Sequence, residues 1–191
     1  ITRNYLEPEN MVHIIGYVGA PSKSQVEKAP EEDLLIRQPQ YRMGKSGIEA
    51  TQEATLRGEA GIQEVEVDSR RTRIRNLNRH EPKAGNELTL TIDYELQEFA
   101  MQQLHGKGGL KKERAAAVLI DVESGDVLVM GSVPTFDPNK VVNGFDQEYW
   151  KLLNEDPDAP LTNNAVGIAI SPGSTYKTVT AIAGLTTGSI T

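Results

Sequence analysis

The stretch SPGSTYK, residues 171–177, places a serine and a lysine three residues apart. Residues at this spacing share one face of a helix, so the Ser174 hydroxyl and the Lys177 amine would be neighbours. A serine hydroxyl is a poor nucleophile until a base takes its proton, and a neutral lysine amine one turn away can be that base. The spacing fits a helix-start serine beside a solvated lysine equally well, because S-x-x-K occurs about once by chance in roughly 200 residues.

Other residues with chemical potential favour structural interpretations. His13, His80 and His105 are scattered along the chain without a ligand pattern around them, which indicates structural or solvated side chains more than a metal site. The same holds for the acids of a predicted turn and the aromatic residues of a predicted short helix, namely Asp121, Glu123, Asp126, Tyr149 and Trp150. We therefore predict no metal and no organic cofactor.

The composition is that of an ordinary globular chain and excludes several classes of function. Hydrophobic residues make up 38% and charged residues 25% of the 191. These proportions are typical of a folded, soluble domain. The net charge of −7 argues against nucleic acid as a partner, because phosphate binding needs a basic face. The chain has no cysteine, so disulfides and thiolate chemistry are excluded. It has no apolar run of membrane-spanning length, and because it opens at Ile1 without an initiator Met we expect an excised piece of a longer protein, in which an anchor could lie outside this chain.

Short elements with clear turn signals fill the first part of the chain. Valines alternate with acids in EVEVD, residues 64–68, and arginines alternate with other residues over Thr72–Leu77, which predicts two half-exposed strands joined near Ser69. The other predicted elements are a buried strand over Met11–Gly19, a short helix over Ser22–Ala29 and a helix over Ile48–Arg57 that Gly58 stops.

A turn-rich break at PKAGN, residues 82–86, predicts the boundary between two domains, 1–83 and 84–191. A short strand over Leu88–Ile92 and a helix over Tyr94–Leu104 with Asp93 as its N-cap are predicted to follow. Residues 106–112 are predicted to form a glycine- and lysine-rich loop. The predicted apolar stripe of the helix over Tyr94–Leu104 consists of Leu96, Phe99, Ala100 and Leu104.

Two nearly all-apolar segments, Ala115–Val122 and Val127–Val133, predict central strands of a layered α/β core, because continuous apolarity needs cover on both faces. The long irregular stretch after them holds one predicted helix near Gln147–Leu153. The last helix is predicted to begin near Pro172, with Ser171 as its N-cap. Its predicted apolar face consists of Val179, Ile182, Ala183 and Leu185.

Three segments resemble, in order and spacing, the start of a penicillin-binding transpeptidase domain: AAAVLIDVESGDVLVMGSVPTFDPN, NGFDQEYWKLLNEDPDAPLTNNA and SPGSTYKTVTAIAGL. Upstream, HIIGYVG and GKSGIEATQEATLRGEAG resemble the pedestal motifs of class B penicillin-binding proteins, and EVEVDSRRTRI resembles the hairpin that follows them. The central loop is most similar to that of the class B enzymes of cell elongation. An S-x-x-K in this strand-loop-helix context is no longer a chance match.

The resemblance implies that Ser174 is the acylated nucleophile, that Lys177 is its general base and that the Ser174 backbone N–H is one arm of the oxyanion hole. Near the motif, this sequence departs from the family's usual residues at two places. The family usually has Arg where this chain has Asn164, and Tyr-Pro or Pro-Pro where it has Ile170-Ser171. The family's S-x-N and K-[ST]-G motifs do not follow the serine within this chain. Lys45-Ser46-Gly47 precedes it and opens a predicted helix, so we interpret it as a turn.

The implied fold is α+β: a partial pedestal domain with a β-hairpin over 1–83, then the N-terminal part of a serine β-lactamase-like α/β transpeptidase domain over 84–191. The implied activity is peptidoglycan D,D-transpeptidation, with stem peptides, β-lactams and cell-elongation proteins as partners. The implied location is the periplasmic face of the bacterial inner membrane. By itself the chain is expected to be inactive and self-associated.

Two alternatives remain open at this point. A serine β-lactamase or a β-lactam sensor shares the S-x-x-K motif, although the pedestal-like first eighty residues and the long central loop argue against it. A non-catalytic pedestal module that docks a morphogenetic partner is the second alternative.

Overall fold

In the computed structural model of this chain, residues 3–106, 114–142 and 146–190 are described. The predicted loop over 106–112 lies outside them except for Gly106, and so does part of the predicted irregular stretch, residues 143–145. The elements before residue 84 are α1 (Pro8–Ile15), β1 (Val18–Gly19), α2 (Lys23–Lys28), β2 (Met43–Gly44), α3 (Gly47–Thr51), α4 (Glu53–Leu56), β3 (Ile62–Val67) and β4 (Arg73–His80). Those after it are α5 (Tyr94–Leu104), β5 (Ala115–Ile120), β6 (Val127–Val133), α6 (Asn139–Val142), α7 (Gln147–Glu155), α8 (Asn164–Gly167) and α9 (Tyr176–Thr186).

Helix α1 occupies a segment for which the apolar pattern predicts a buried strand, Met11–Gly19, and that prediction is wrong. Pro8 stands in the first turn, where its missing N–H costs nothing, and Glu9 places negative charge at the helix N-terminus. An apolar run of this length cannot by itself separate a buried helix from a buried strand. The helix ends at Gly16, whose φ of 78° is a glycine conformation. Only the last two residues of the predicted segment, Val18 and Gly19, form a strand, β1, which pairs antiparallel with β2.

Both predicted short helices of the first part are present with modified bounds. The Ser22 hydroxyl accepts from the backbone N–H of Gln25 and the Gln25 side chain accepts from that of Ser22, a capping box that starts α2. The second predicted helix is divided at Gln52 into α3 and α4. Gly58 follows with φ of 71°, and a Cβ there would lie 2.3 Å from the Lys83 carbonyl oxygen, so this stop requires glycine.

Strands β3 and β4 form the predicted hairpin and pair antiparallel from Ile62 opposite His80 to Val67 opposite Arg73, with register shifts after Glu64 and after Glu66. The Asp68 carboxylate closes the turn by accepting from the backbone N–H groups of Arg70 and Thr72, both at 2.8 Å. Almost every residue of the two strands is exposed. The hairpin is therefore held by its ladder and its turn.

Helix α5 begins where the sequence predicts, but it buries a different face. The Asp93 carboxylate accepts from the Leu96 backbone N–H at 3.1 Å and caps the helix. In the predicted stripe, Leu96 is 40% and Phe99 is 62% exposed, whereas Gln97 and Met101 are 0% and 1% exposed. The predicted apolar stripe is therefore wrong for Leu96 and Phe99, while its other two members, Ala100 and Leu104, are half-buried.

Gln97 can be buried because its amide is fully bonded. Its Nε2 donates to the carbonyl oxygens of Asn10 and Met130 at 2.8 and 3.2 Å, and its Oε1 accepts from the Met130 backbone N–H at 2.9 Å. A buried amide costs little when its donors and acceptor are satisfied. One side chain thus joins α1, α5 and β6.

The extended stretch before α5 contacts β6 without forming a ladder, so the predicted strand Leu88–Ile92 is wrong. The Thr91 hydroxyl donates to the Val127 carbonyl oxygen at 2.8 Å, and the Asp93 backbone N–H donates to that of Leu128 at 3.0 Å. These contacts fix the start of α5 against the sheet.

Strands β5 and β6 pair antiparallel from Ala115 opposite Val133 to Ile120 opposite Val127, as predicted. The expected cover on both faces is confirmed for the end of β6, where Val133 is 2% exposed, and wrong for β5, where Val118 is 46% and Ile120 52% exposed. Helix α5 packs on β6, and α8 lies against both strands. The β5–β6 pair therefore leaves apolar surface exposed.

An aromatic cluster joins α1 to the region after β6. Val12 of α1 packs with Phe136 and with Leu153 of α7, the helix that the sequence predicts there. The Tyr17 ring meets Phe136 and Trp150 edge-on, with centroids 5.9 and 6.0 Å apart. This cluster is one apolar contact between the first eighty residues and the rest of the chain. A second joins Tyr5 and Val18 to Val142 of α6.

Candidate active site

Ser174 lies in a 3-10 turn, Gly173–Thr175, that runs directly into α9, where Lys177 is the second residue. The Thr175 backbone N–H donates to the Pro172 carbonyl oxygen at 3.3 Å. The prediction that Ser171 caps this helix is wrong, because the turn starts after Pro172 and no side chain caps it. The unbroken helical path preserves the three-residue spacing of the two candidate residues on one face.

Both candidate side chains are exposed, and so are the other residues of α9 except Gly184. Val179, Ile182 and Leu185 of the predicted apolar face are 52%, 65% and 59% exposed. A lysine that acts as a base needs surroundings that remove water from its amine. The part of the chain that the structure describes does not provide such cover around Lys177.

Asn164, the position where the family usually has Arg, is buried at the start of α8 with 2% exposure. Its backbone N–H donates to the Ser132 hydroxyl at 2.9 Å, and its Nδ2 donates to the Val133 carbonyl oxygen at 2.7 Å. Its Oδ1 accepts from Nη2 of Arg114 at 2.8 Å. Asn164 therefore links α8 to the end of β6. Its hydrogen bond with the guanidinium of Arg114 also links α8 to the residue before β5.

Asn163 caps α8 and reaches the first part of the chain. Its Oδ1 accepts from the Ala165 backbone N–H at 3.0 Å, and its Nδ2 donates to the His13 carbonyl oxygen at 3.0 Å. The His13 ring in turn places Nε2 2.9 Å from the Pro134 carbonyl oxygen and meets Phe136 edge-on. Burial lowers the pKa of His13, and the Pro134 hydrogen bond opposes that shift. His13 is thus a structural histidine, as predicted.

The remaining sequence candidates have structural roles. Ser46 precedes α3 and Gly47 opens it, so Lys45-Ser46-Gly47 is a helix start. The Asp121 carboxylate accepts from the backbone N–H groups of Glu123 and Ser124 in the β5–β6 turn, which lowers its pKa. The Tyr149 hydroxyl accepts from the Asp137 backbone N–H at 2.9 Å. Among the described residues, no group of three or more metal-ligating side chains comes together.

The N-terminal part holds a charged cluster that sequence reasoning missed. The Tyr41 hydroxyl donates to Glu53, which also accepts from the Gly44 backbone N–H at 2.7 Å. Arg57 pairs with Asp33 and lies over the Tyr41 ring, 5.6 Å from its centroid. Burial raises the pKa of Tyr41, and the Arg57 hydrogen bond lowers that of Asp33. Tyr41, Glu53 and Arg57 line part of a cavity of about 500 Å³. Because the charged groups of the cluster pair with one another, we interpret it as structural.

Comparison with known protein domains divides the chain into two matches. Residues 1–90 match the penicillin-binding protein dimerisation domain, and residues 115–191 match the penicillin-binding protein transpeptidase domain. The helices of the described residues include none that is long and apolar enough to cross a membrane.

Curated relatives named peptidoglycan D,D-transpeptidase MrdA match nearly the whole chain. The protein from Acinetobacter baumannii is 37% identical over 185 residues, covering 97% of this chain and 26% of the relative. That from Escherichia coli K12 is 36% identical over 190 residues, covering 99% of this chain and 29% of the relative. The chain spans less than a third of the length of either relative.

Solved structures of penicillin-binding protein 2 have the same fold. One is a complex of this protein with MreC from Helicobacter pylori, with a TM-score of 0.80 and 29% identity over the whole of this chain and 34% of that one. Another is the Pseudomonas aeruginosa protein bound to WCK 5153, with a TM-score of 0.78 and 30% identity over the whole of this chain and 36% of that one.

The chain belongs to the penicillin-binding proteins that join a dimerisation domain to a transpeptidase domain. Within them it is similar to penicillin-binding protein 2, the protein in both of these solved structures. The resemblance drawn from the sequence is confirmed, and so is the α+β fold of a partial pedestal followed by the start of a transpeptidase domain. The domain boundary near residue 83 and the roles of Ser174 and Lys177 stay predictions.

Proposed function

We propose that this chain supplies the acylated serine of a peptidoglycan D,D-transpeptidase. The observation that carries the proposal is the placement of SPGSTYK at the start of α9, after the β5–β6 pair and α8, within the residues that match a transpeptidase domain. The curated relatives are named for the same activity. The substrate is then a stem peptide ending in D-Ala-D-Ala, and a β-lactam acylates the same residue.

In the proposed reaction Ser174 Oγ attacks the carbonyl carbon between the two D-Ala residues while Lys177 takes the hydroxyl proton. The Ser174 backbone N–H stabilises the oxyanion that forms. The carbon–nitrogen bond then breaks, the proton passes to the leaving D-Ala amine, and the peptide remains as an ester on Ser174. An amine of a neighbouring stem attacks this ester, forms the cross-link and releases the serine.

We further propose that the longer protein acts in cell elongation at the periplasmic face of the inner membrane and that its pedestal docks a protein of the elongation machinery. The Helicobacter pylori relative is solved in a complex with MreC, which supports such a partner. A serine β-lactamase would share the first acylation step, but the match of residues 1–90 to a dimerisation domain favours the transpeptidase.

The test is covalent labelling of the full-length protein with a fluorescent penicillin. Ser174→Ala should abolish labelling, whereas the matched control Ser171→Ala, in the same exposed segment and without a capping role, should label as the unmodified protein does. Labelling that survives Ser174→Ala would refute the assignment. Rapid loss of the label from the unmodified protein would favour the β-lactamase alternative, because a transpeptidase holds the penicilloyl ester for much longer.

A further inference from the structure

The tip of the β3–β4 hairpin, residues 67–75, is a positively charged surface on a negatively charged chain. It holds four arginines and a single acid, whereas the whole chain has a net charge of −7. Every residue of the tip is exposed. The charged residues of the tip are Asp68, Arg70, Arg71, Arg73 and Arg75.

Ion pairs neutralise the cations towards the base of the hairpin but not those at its tip. The pairs near the base are Arg75–Glu66, Arg79–Glu81 and Lys83–Glu59. Among the described residues, no carboxylate forms an ion pair with Arg70, Arg71 or Arg73. Arg73 donates only to the neutral amide oxygen of Asn76, and the Asp68 carboxylate accepts from backbone N–H groups of the turn. Three arginines are therefore available to an external anion.

The backbone of the turn indicates that Arg71 does more than keep the chain soluble. The Arg71 backbone N–H donates to the Asp68 carbonyl oxygen at 2.9 Å, and the Asp68 backbone N–H donates to that of Thr72 at 2.9 Å. This three-residue loop places Arg71 at a φ of 63°, the left-handed conformation in which glycine is preferred. A charge at a neighbouring exposed position would solubilise the chain equally well without that conformational cost. The cost therefore favours a binding role for the side chain.

The shape of the tip argues against a protein as the main partner. An added β-strand needs a regular edge, but two register shifts interrupt this ladder and arginines lie along it. A stable protein interface needs about 20–30 residues a side, and the tip offers only residues 67–75. A partner without a minimum contact area fits this narrow surface better.

Apolar side chains beside the arginines indicate the chemistry of that partner. Val67 and Ile74 are 47% and 60% exposed. The surface of an anionic bilayer accepts both kinds of group, since lipid phosphates bind guanidinium groups and aliphatic side chains enter the boundary between headgroups and acyl chains. Each basic residue near such a surface adds its own contribution, so a small tip is sufficient.

We propose that the hairpin tip binds the anionic lipid headgroups of a membrane surface. Arg70, Arg71 and Arg73 contact the lipid phosphates, and Val67 and Ile74 lie between the headgroups. This interaction goes beyond the proposed function and does not depend on the role of Ser174. In a protein that another segment already holds at the membrane, a weak contact of this kind is enough to orient the first part of the chain, because the effective concentration of lipid is high.

The test is co-sedimentation of the 191-residue chain with lipid vesicles. The chain should bind vesicles of equal parts phosphatidylcholine and phosphatidylglycerol more tightly than vesicles of phosphatidylcholine alone, and added salt should weaken the difference. Arg70→Gln and Arg71→Gly should each lower the affinity for the anionic vesicles about fivefold, the usual contribution of one arginine at an anionic surface. Arg79→Gln makes the same change of charge at an arginine that has an acidic partner, so it serves as the control and should bind as the unmodified chain does.

Arg71→Gly also separates binding from stability. Because glycine suits a φ of 63°, this variant should unfold at the same temperature as the unmodified chain or a higher one while it binds vesicles less tightly. A purely structural role of Arg71 would give the opposite result, lower stability with unchanged binding. If Arg71→Gly does not fold, Arg70→Gln provides the same comparison at a residue without the left-handed conformation.

Four results would overturn the proposal. Equal affinity for the two kinds of vesicle would show that apolar surface, and not the arginines, binds lipid. Equal weakening by Arg79→Gln would show a general effect of charge. Release of the chain by inorganic phosphate, but not by chloride at the same ionic strength, would show a site for a free anion. Binding to polyglutamate without binding to anionic vesicles would assign the tip to an acidic protein instead.

Discussion

Replacing Lys177 with arginine separates the positive charge of this side chain from its ability to accept a proton. A guanidinium keeps the charge but cannot be deprotonated near neutral pH. Lys177→Arg in the full-length protein should therefore lower the rate of penicillin acylation by about 10²- to 10⁴-fold, the usual contribution of a general base. The measurement is the time course of labelling, with the exposed Lys151→Arg on α7 as control. An arginine variant that acylates at nearly the unmodified rate would remove Lys177 from the role of base.

His13 should make the stability of the chain depend on pH. Burial lowers its pKa in the folded state below its ordinary value of 6.5. As pH falls below about 6.5, the unfolded chain therefore binds a proton that the folded chain does not, and stability decreases. The carboxylates with lowered pKa, Asp33 and Asp121, lose their contribution only at lower pH, near and below 3.8.

Urea unfolding measured between pH 7.5 and pH 5 checks this expectation. The unmodified chain should lose free energy of unfolding across that interval. His13→Gln, which keeps a donor for the Pro134 carbonyl oxygen but does not titrate, should show a flatter profile. Equal slopes in the two proteins would mean that protonation of His13 is not linked to folding.

Among the secondary-structure elements, the sequence predicts best those features that depend on residues close together along the chain. The N-cap of α5 and the glycine stop after α4 depend on neighbours within a turn, so Asp93 and Gly58 can be identified from the local sequence. The apolar run of α1 predicts a strand wrongly, because such a run fits a buried helix and a buried strand equally well. The buried face of α5 depends on Gln97 finding partners in α1 and β6, which no local pattern encodes.

The Gln97 amide should be worth more to stability than its helical neighbours. Gln97→Leu removes the partners of the Asn10 and Met130 backbone groups, and each buried group left unsatisfied costs about 1–3 kcal/mol. We therefore expect a loss of that order or more in the free energy of unfolding, measured in urea. Gln103→Leu, at an exposed position of the same helix, is the control and should change it by less than about 0.5 kcal/mol. Equal stability of the two variants would show that the three-way contact of Gln97 is not energetically important.

At the scale of the whole molecule, the candidate site divides into a part that spacing reveals and a part that only tertiary structure reveals. The Ser174–Lys177 spacing and its strand-loop-helix context can be identified in the letters alone. Asn163 lies in the loop segment that precedes this motif, and its contact with His13 joins residues 150 positions apart. The hydrogen bond between Arg114 and Asn164 cannot be predicted from the local sequence either, because these residues are 50 positions apart.

Exposed apolar side chains on α5, β5 and α9 should determine the association state of the 191-residue chain. Phe99, Val118 and Ile182 are 62%, 46% and 65% exposed, and soluble monomers rarely show large apolar patches. We expect concentration-dependent self-association in sedimentation velocity. Ile182→Lys should shift the chain towards monomer without lowering its free energy of unfolding, because the side chain is already in solvent. Leu6→Lys, at a 77% exposed position outside these three elements, should leave association unchanged. A chain that sediments as a monomer at every concentration would show that these faces do not associate with one another.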